Sequence, residues 1–147
     1  MFGMASLPVV VSPRPFHPAP APDYRLDSRY AALHRFFDKS GCPASRYADE
    51  FLDVADTYTL DWRLLPSISF VESTGGKAGR NNNIFGWDSG RAQFPTPVAG
   101  IYTVAYRLSH SGLYRDKSLD EVLAMYNPNA AYGRRVKSDM RQIAAIQ

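Results

Sequence analysis

A single cysteine stands among 147 residues, so no intramolecular disulfide is available and the fold must rest on core burial. A chain of this length can bury enough core without covalent staples, so export is not excluded. His17, His34 and His110 are scattered without metal-ligand spacing, and Cys42 sits in a Gly41–Cys42–Pro43 turn, a poor setting for a thiol nucleophile. No apolar run approaches the roughly 20 residues of a membrane helix. Phosphate-loop and dinucleotide fingerprints are missing, and no G-x-S-x-G context surrounds Ser69 or Ser73. Neither internal repeats nor sustained period-two alternation occur. What remains is 45% hydrophobic with 9 Tyr, 8 Phe and 2 Trp, enough for one well-filled domain and too little for two. The net charge of +3 leans towards anionic polymers without selecting one.

The first eleven residues, MFGMASLPVVV, are apolar but lack a charged leader region, and Pro8 breaks them. Residues 8–22 hold six of the 11 prolines. Fixed φ angles and missing amide donors predict an extended tether, the alternative being a segment packed along the surface through Val9–Val11 and Phe16. Residues 1–22 therefore read as a proline-rich tether or the remnant of a processed N-terminus, and 23–147 as the folded domain.

From Asp23 onward the period becomes helical. Tyr30, Leu33 and Phe36 predict a helix over 26–38, and Tyr47, Phe51 and Val54 predict one over 43–57, with Pro43 near its start. A third is expected from about Asp61 to Ser73, with Pro66 kinking it or resetting its start. Val98 to Leu108 marks a fourth, Ser118 with Glu121 a capping box opening a short fifth, and Tyr132, Val136, Met140 and Ile143 a terminal sixth. Between the third and fourth lies TGGKAGRNNNIFGWDSGRAQFPT, residues 74–96, crowded with Gly and Asn but carrying Phe85, Trp87 and Phe94. A connection this long in a compact domain is uncommon unless it carries function, and its aromatics argue for order. The fold class is mainly α, with an irregular glycine- and asparagine-rich loop.

Glu72 ends the apolar third helix immediately before that loop. Negative charge is disfavoured at a helix C-terminus, and partial burial would raise the pKa further. A carboxylic acid that keeps its proton near neutral pH can protonate a glycosidic oxygen as the bond breaks. The competing reading is a solvated glutamate closing a helix. In the loop, Asn82, Asn83 and Gln93 offer amides for sugar hydroxyls, while Trp87 and Phe85 offer flat apolar faces. Those same residues could instead anchor the loop and cap its turns. Asp88 is the nearest second carboxylate: a nucleophile, a base, or an Asx turn before Ser89–Gly90, the turn being slightly favoured. Arg134, Arg135, Lys137 and Arg141 cluster on the last helix, but Asp139 dilutes them, so they read as a solvated face and no nucleic-acid partner is expected.

The stretch Leu64 to Phe94 resembles the lysozyme-like superfamily, in particular soluble lytic transglycosylases and autolysin-type bacterial glucosaminidases. Glu72–Ser73 matches their Glu-Ser signature, and Asn83–Ile84–Phe85–Gly86 is similar to the glucosaminidase Asn-x-Phe-Gly turn. Met125–Tyr126–Asn127 resembles the transglycosylase Tyr-Asn element, and Tyr132 with Val136 a closing Tyr-to-Val pattern. The likeness spans roughly 47–143. Two departures stand out: the Gly-Leu-Met-Gln sequence of classical transglycosylases is missing, with Gly90–Phe94 in the comparable region, and no position firmly matches the second acid of the glucosaminidases.

The resemblance implies a compact lysozyme-like helical domain split by a shallow glycan cleft. It implies Glu72 as general acid, with Asp88 and Tyr126 as further catalytic candidates. Ser73, Asn82, Asn83, Phe85, Trp87, Gln93, Asn127 and Tyr132 become the substrate-binding candidates. The implied reaction is hydrolysis of β-1,4 linkages in peptidoglycan or a related N-acetylglucosamine glycan. The alternatives are a lytic transglycosylase forming 1,6-anhydromuramoyl ends and a silent glycan-binding domain. Neither a cofactor nor a metal is called for. A monomer in the extracellular, periplasmic or cell-wall space, without membrane insertion, is expected.

Overall fold

The computed structural model describes residues 20 and 22–145, so the tether assigned to 1–22 lies, Pro20 and Pro22 apart, outside the described residues. The described chain is helical, without a strand; a lone antiparallel bridge joins Arg80 and Asn83 within the long loop. Six α-helices follow in order: α1 Ser28–Asp38, α2 Ala48–Tyr58, α3 Leu64–Ser73, α4 Pro97–His110, α5 Leu119–Tyr126 and α6 Ala130–Ala145.

The helix starts follow local chemistry. Asp27 caps α1 by accepting from the Arg29 amide, and Thr96 caps α4 with Pro97 in the first turn, where its missing donor costs nothing. Ser118 and Glu121 form the expected capping box on α5. The helix expected over 43–57 is split: Pro43–Tyr47 form a 3₁₀ turn, and α2 begins only at Ala48. Tyr47, at φ −105° and ψ 20°, marks the break. The third helix starts at Leu64 rather than Asp61 and is not interrupted at Pro66. Pro66 is its third residue, where the amide has no intrahelical acceptor anyway.

α2 packs against α4 and α3 against α6. Leu64 through Ser69 are all buried, so the first turns of α3 run through the core, while Phe70, Val71 and Glu72 in its last turn are half-buried. Phe37 stacks on Phe51 at 5.8 Å, and Phe51 meets the ring of Phe85 edge-on at 6.4 Å, carrying the core from α1 through α2 into the loop. The α3 C-terminus closes on Thr74 in the left-handed region, followed by Gly75 at φ +59°. A Cβ on Gly75 would lie 2.8 Å from the Cβ of Cys42, so the chain leaves α3 at a point where only glycine fits.

Asp139 of α6 is 9% exposed, facing a small cavity of about 260 Å³ with Phe70, Val71 and Arg135. Burial pushes its carboxyl up to about 6, and the Arg135 charge only partly opposes that. The folded value lies above the ordinary 3.8 of an open chain, so this group's contribution to stability is complete below that value and lost as pH rises through about 6. Asp139→Asn should therefore match the native protein in urea denaturation near pH 4 and exceed it by about 1–2 kcal/mol near pH 8.

Candidate active site

Glu72 occupies the last turn of α3 and is half-buried at the edge of a cavity of about 650 Å³. The cavity is lined also by Gly86, Trp87, Asp88, Tyr114, Tyr126 and Asn127. Gly86 lies directly against the carboxyl: a Cβ there would come within 2.6 Å of Glu72 Oε2. Its φ of +59° independently favours glycine. The loop thus reaches the carboxyl with bare backbone and leaves its outer side to the cavity.

Burial raises the Glu72 pKa above the ordinary glutamate value, while the Tyr132 hydroxyl and the positive charge of Arg135 draw it part of the way back. The Tyr132 hydroxyl is itself buried, and Glu72 is the hydrogen-bonding neighbour whose proton affinity it lowers. Arg135 is the only charged group with an appreciable effect on Glu72 among the described residues. The balance leaves the carboxyl above the ordinary glutamate value.

One wall is aromatic. Trp87 lies 5.6 Å from Tyr126 and 6.0 Å from Tyr114, centroid to centroid. Tyr126 stacks on Tyr132 beneath it at 6.0 Å with the planes 5° apart. The Tyr126 hydroxyl donates to the Phe85 carbonyl at 2.6 Å, so its proton is held by the loop backbone, and burial drives its pKa well above the ordinary tyrosine value. The ring forms wall; its proton is already committed.

The sequence candidates separate into two groups. Glu72, Trp87, Asp88, Tyr126 and Asn127 share the cavity, with Tyr132 below Tyr126. Ser73, Asn82, Asn83 and Phe85 build the loop instead. Ser73 Oγ donates to the Ile84 carbonyl at 2.7 Å and accepts from the Gly76 amide at 2.9 Å. Asn83 is buried, accepts from the Trp87 amide at 2.9 Å, and donates to the carbonyls of Trp87 and Ala92 at 3.0 and 3.2 Å. Asn82 donates to the Phe94 and Pro95 carbonyls. The Phe85 ring is wholly enclosed, which corrects its expected role as a sugar-facing platform: the core holds it against Phe51. Gln93 is exposed and is not among the cavity-lining residues.

Asp88 stands at the cavity rim in the left-handed region, its carboxylate paired with Arg91 at 2.9 Å and its carbonyl accepting from the Arg91 amide. That is the geometry of a turn-forming aspartate. The sequence reading missed Tyr114 and Gly86. Tyr114 sits in the turn between α4 and α5, where no helical or strand period marks it; Gly86 was visible as the end of the Asn83–Gly86 motif, but not as the backbone set against Glu72. Among the described residues, no group of three or more His, Cys, Asp or Glu side chains is placed to hold a metal, and no helix is long and apolar enough to cross a membrane.

Comparison of the chain with protein families, curated proteins and solved structures finds no match.

Gly86→Ala should force a Cβ into the Glu72 carboxyl at a left-handed position. A loss of about 1–3 kcal/mol in urea denaturation is expected, with displacement of Glu72 as its local consequence. Gly90→Ala, where open space surrounds the added Cβ, should lose less.

Proposed function

We propose that the protein cleaves β-1,4 linkages of peptidoglycan or a related N-acetylglucosamine-containing glycan, with Glu72 as general acid. The observation that carries this reading is a half-buried carboxyl, its pKa raised by burial, set at the edge of an open cavity with an aromatic wall. Such a cavity has the polar and flat apolar surfaces that a pyranose requires. The resemblance to lysozyme-like enzymes in the Glu72–Ser73, Asn83–Gly86 and Tyr126–Asn127 motifs leads to the same residue.

In this mechanism the Glu72 carboxyl gives its proton to the bridging oxygen as the bond to the anomeric carbon breaks. Glu72, now a carboxylate, takes a proton back from the nucleophile that completes the reaction. Trp87, Tyr114 and Tyr126 support the sugar through ring faces and edges, and Asn127 supplies an amide. Retaining cleavage by two carboxylates needs them about 5–5.5 Å apart, and inversion about 6.5–9.5 Å. Asp88 is engaged by Arg91, which favours routes needing one protein acid: attack assisted by the substrate's acetamido group, or closure of a 1,6-anhydro ring by its own 6-hydroxyl. The second route is the lytic transglycosylase alternative, and the Asp88–Arg91 pair is the observation that keeps it open. An exported, wall-facing location follows from the substrate proposed.

Mass spectrometry of products from purified peptidoglycan tests the reading. The native protein should release products and Glu72→Gln should lose at least about 100-fold in rate. Rate should also fall as pH rises through the Glu72 pKa, because the acid must start protonated. Reducing ends identify hydrolysis and anhydromuramoyl ends the transglycosylase. Equal release by native and variant proteins would remove Glu72 from the chemistry.

A further inference from the structure

Asn127 is a boundary residue of the Glu72 cavity. That residue also lines a second cavity, of about 330 Å³, between the end of α5 and the first turns of α6. Its charged lining is Asp120, Arg134 and Lys137. Lys137 is committed to Asp120 at 2.7 Å. Arg134 is exposed and forms no ion pair among the described residues, so the groove carries one uncompensated cation with a planar, bidentate donor set. Asn127 Oδ1 accepts from the Asn129 amide at 3.0 Å, fixing the side chain so that its NH₂ remains available. Gly133 is also in the lining, and an added Cβ there would meet Leu123 at an ordinary 3.8 Å.

We infer that this groove is a charge-selective extension of the cleft, in which Arg134 receives a carboxylate substituent carried by the glycan while the sugar chain occupies the Glu72 cavity. This rests on the glycan reading above and narrows it: of two N-acetylglucosamine polymers, the acid-substituted one is preferred over the neutral one. Asn127 couples the two cavities by touching ligand on both sides. Lys137, neutralised by Asp120, contributes shape more than charge. The preference should weaken with added salt, because Arg134 is exposed.

The test measures binding, so that turnover is not needed. Glu72→Gln protein is titrated calorimetrically with two ligands of matched length: a neutral chito-oligosaccharide and a peptidoglycan strand fragment whose stems carry carboxylates. The acidic fragment should bind more tightly. Adding Arg134→Gln should lower the acidic-to-neutral affinity ratio about tenfold at low salt, and Arg134→Lys should restore part of it. Arg107→Gln, on α4 and outside both cavities, serves as the charge control and should leave the ratio unchanged. Gly133→Met, which fills the groove from its lining, should lower the ratio as Arg134→Gln does. Binding of both ligands with a ratio indifferent to Arg134 overturns the groove assignment and leaves the glycan reading standing. Binding of neither ligand overturns the glycan reading and this inference with it.

Discussion

The hydrogen bond from Ser73 Oγ to the Ile84 carbonyl joins the residue after Glu72 to the residue two before Gly86, and the site depends on that closure. The loop turns back on α3 at this point, and its next residue, Phe85, is wholly buried against Phe51. With Ile84 and Phe85 both anchored, Gly86 is carried to the Glu72 carboxyl, and Trp87 emerges at the cavity. Asn83 holds the far side by bonding both to Trp87 and to Ala92. A long irregular loop carries a large entropy cost, offset here by core burial and by hydrogen bonds satisfied within the loop itself.

The arrangement has an electrostatic consequence. Glu72 is partly desolvated, with Gly86 of the loop directly against its carboxyl, so the fold of residues 74–96 contributes to the raised pKa. α6 supplies the opposing influences, Tyr132 and Arg135, from successive turns of one helix. Arg135 also acts on Asp139 one turn further along, placing a half-buried and a buried acid under one exposed guanidinium. The proton affinity of the site is therefore set by three elements: α3 presents the acid, the loop helps to dry it, and α6 moderates it.

Much of this was legible in the sequence, and the illegible part has a common cause. Ser118–Glu121 names its helix start because capping is local chemistry. Glu72 at the end of an apolar helix before a glycine-rich loop is visible for the same reason. Phe85 and Trp87 lie two residues apart in the same loop, yet one fills the core and the other walls the cavity. Composition cannot tell them apart, since their difference is tertiary. Asn83 likewise read as a sugar-binding amide, whereas its amide is occupied by the loop backbone. Tyr114 lies in a turn without periodicity, and only packing against Trp87 shows its part in the wall. The 3₁₀ turn at 43–47 escaped because its apolar spacing continues smoothly into α2.

The central claim is that the fold raises the proton affinity of Glu72 at the mouth of an open cavity. A carbon-13 NMR titration of the Glu72 side-chain carboxyl, assigned by difference against Glu72→Gln, tests it most directly. The account predicts a midpoint above the ordinary glutamate value of 4.5, moving further upward in Arg135→Gln as the opposing charge is removed. A midpoint at or below the ordinary value, unmoved by Arg135→Gln, would contradict it and leave Glu72 a solvated residue closing a helix.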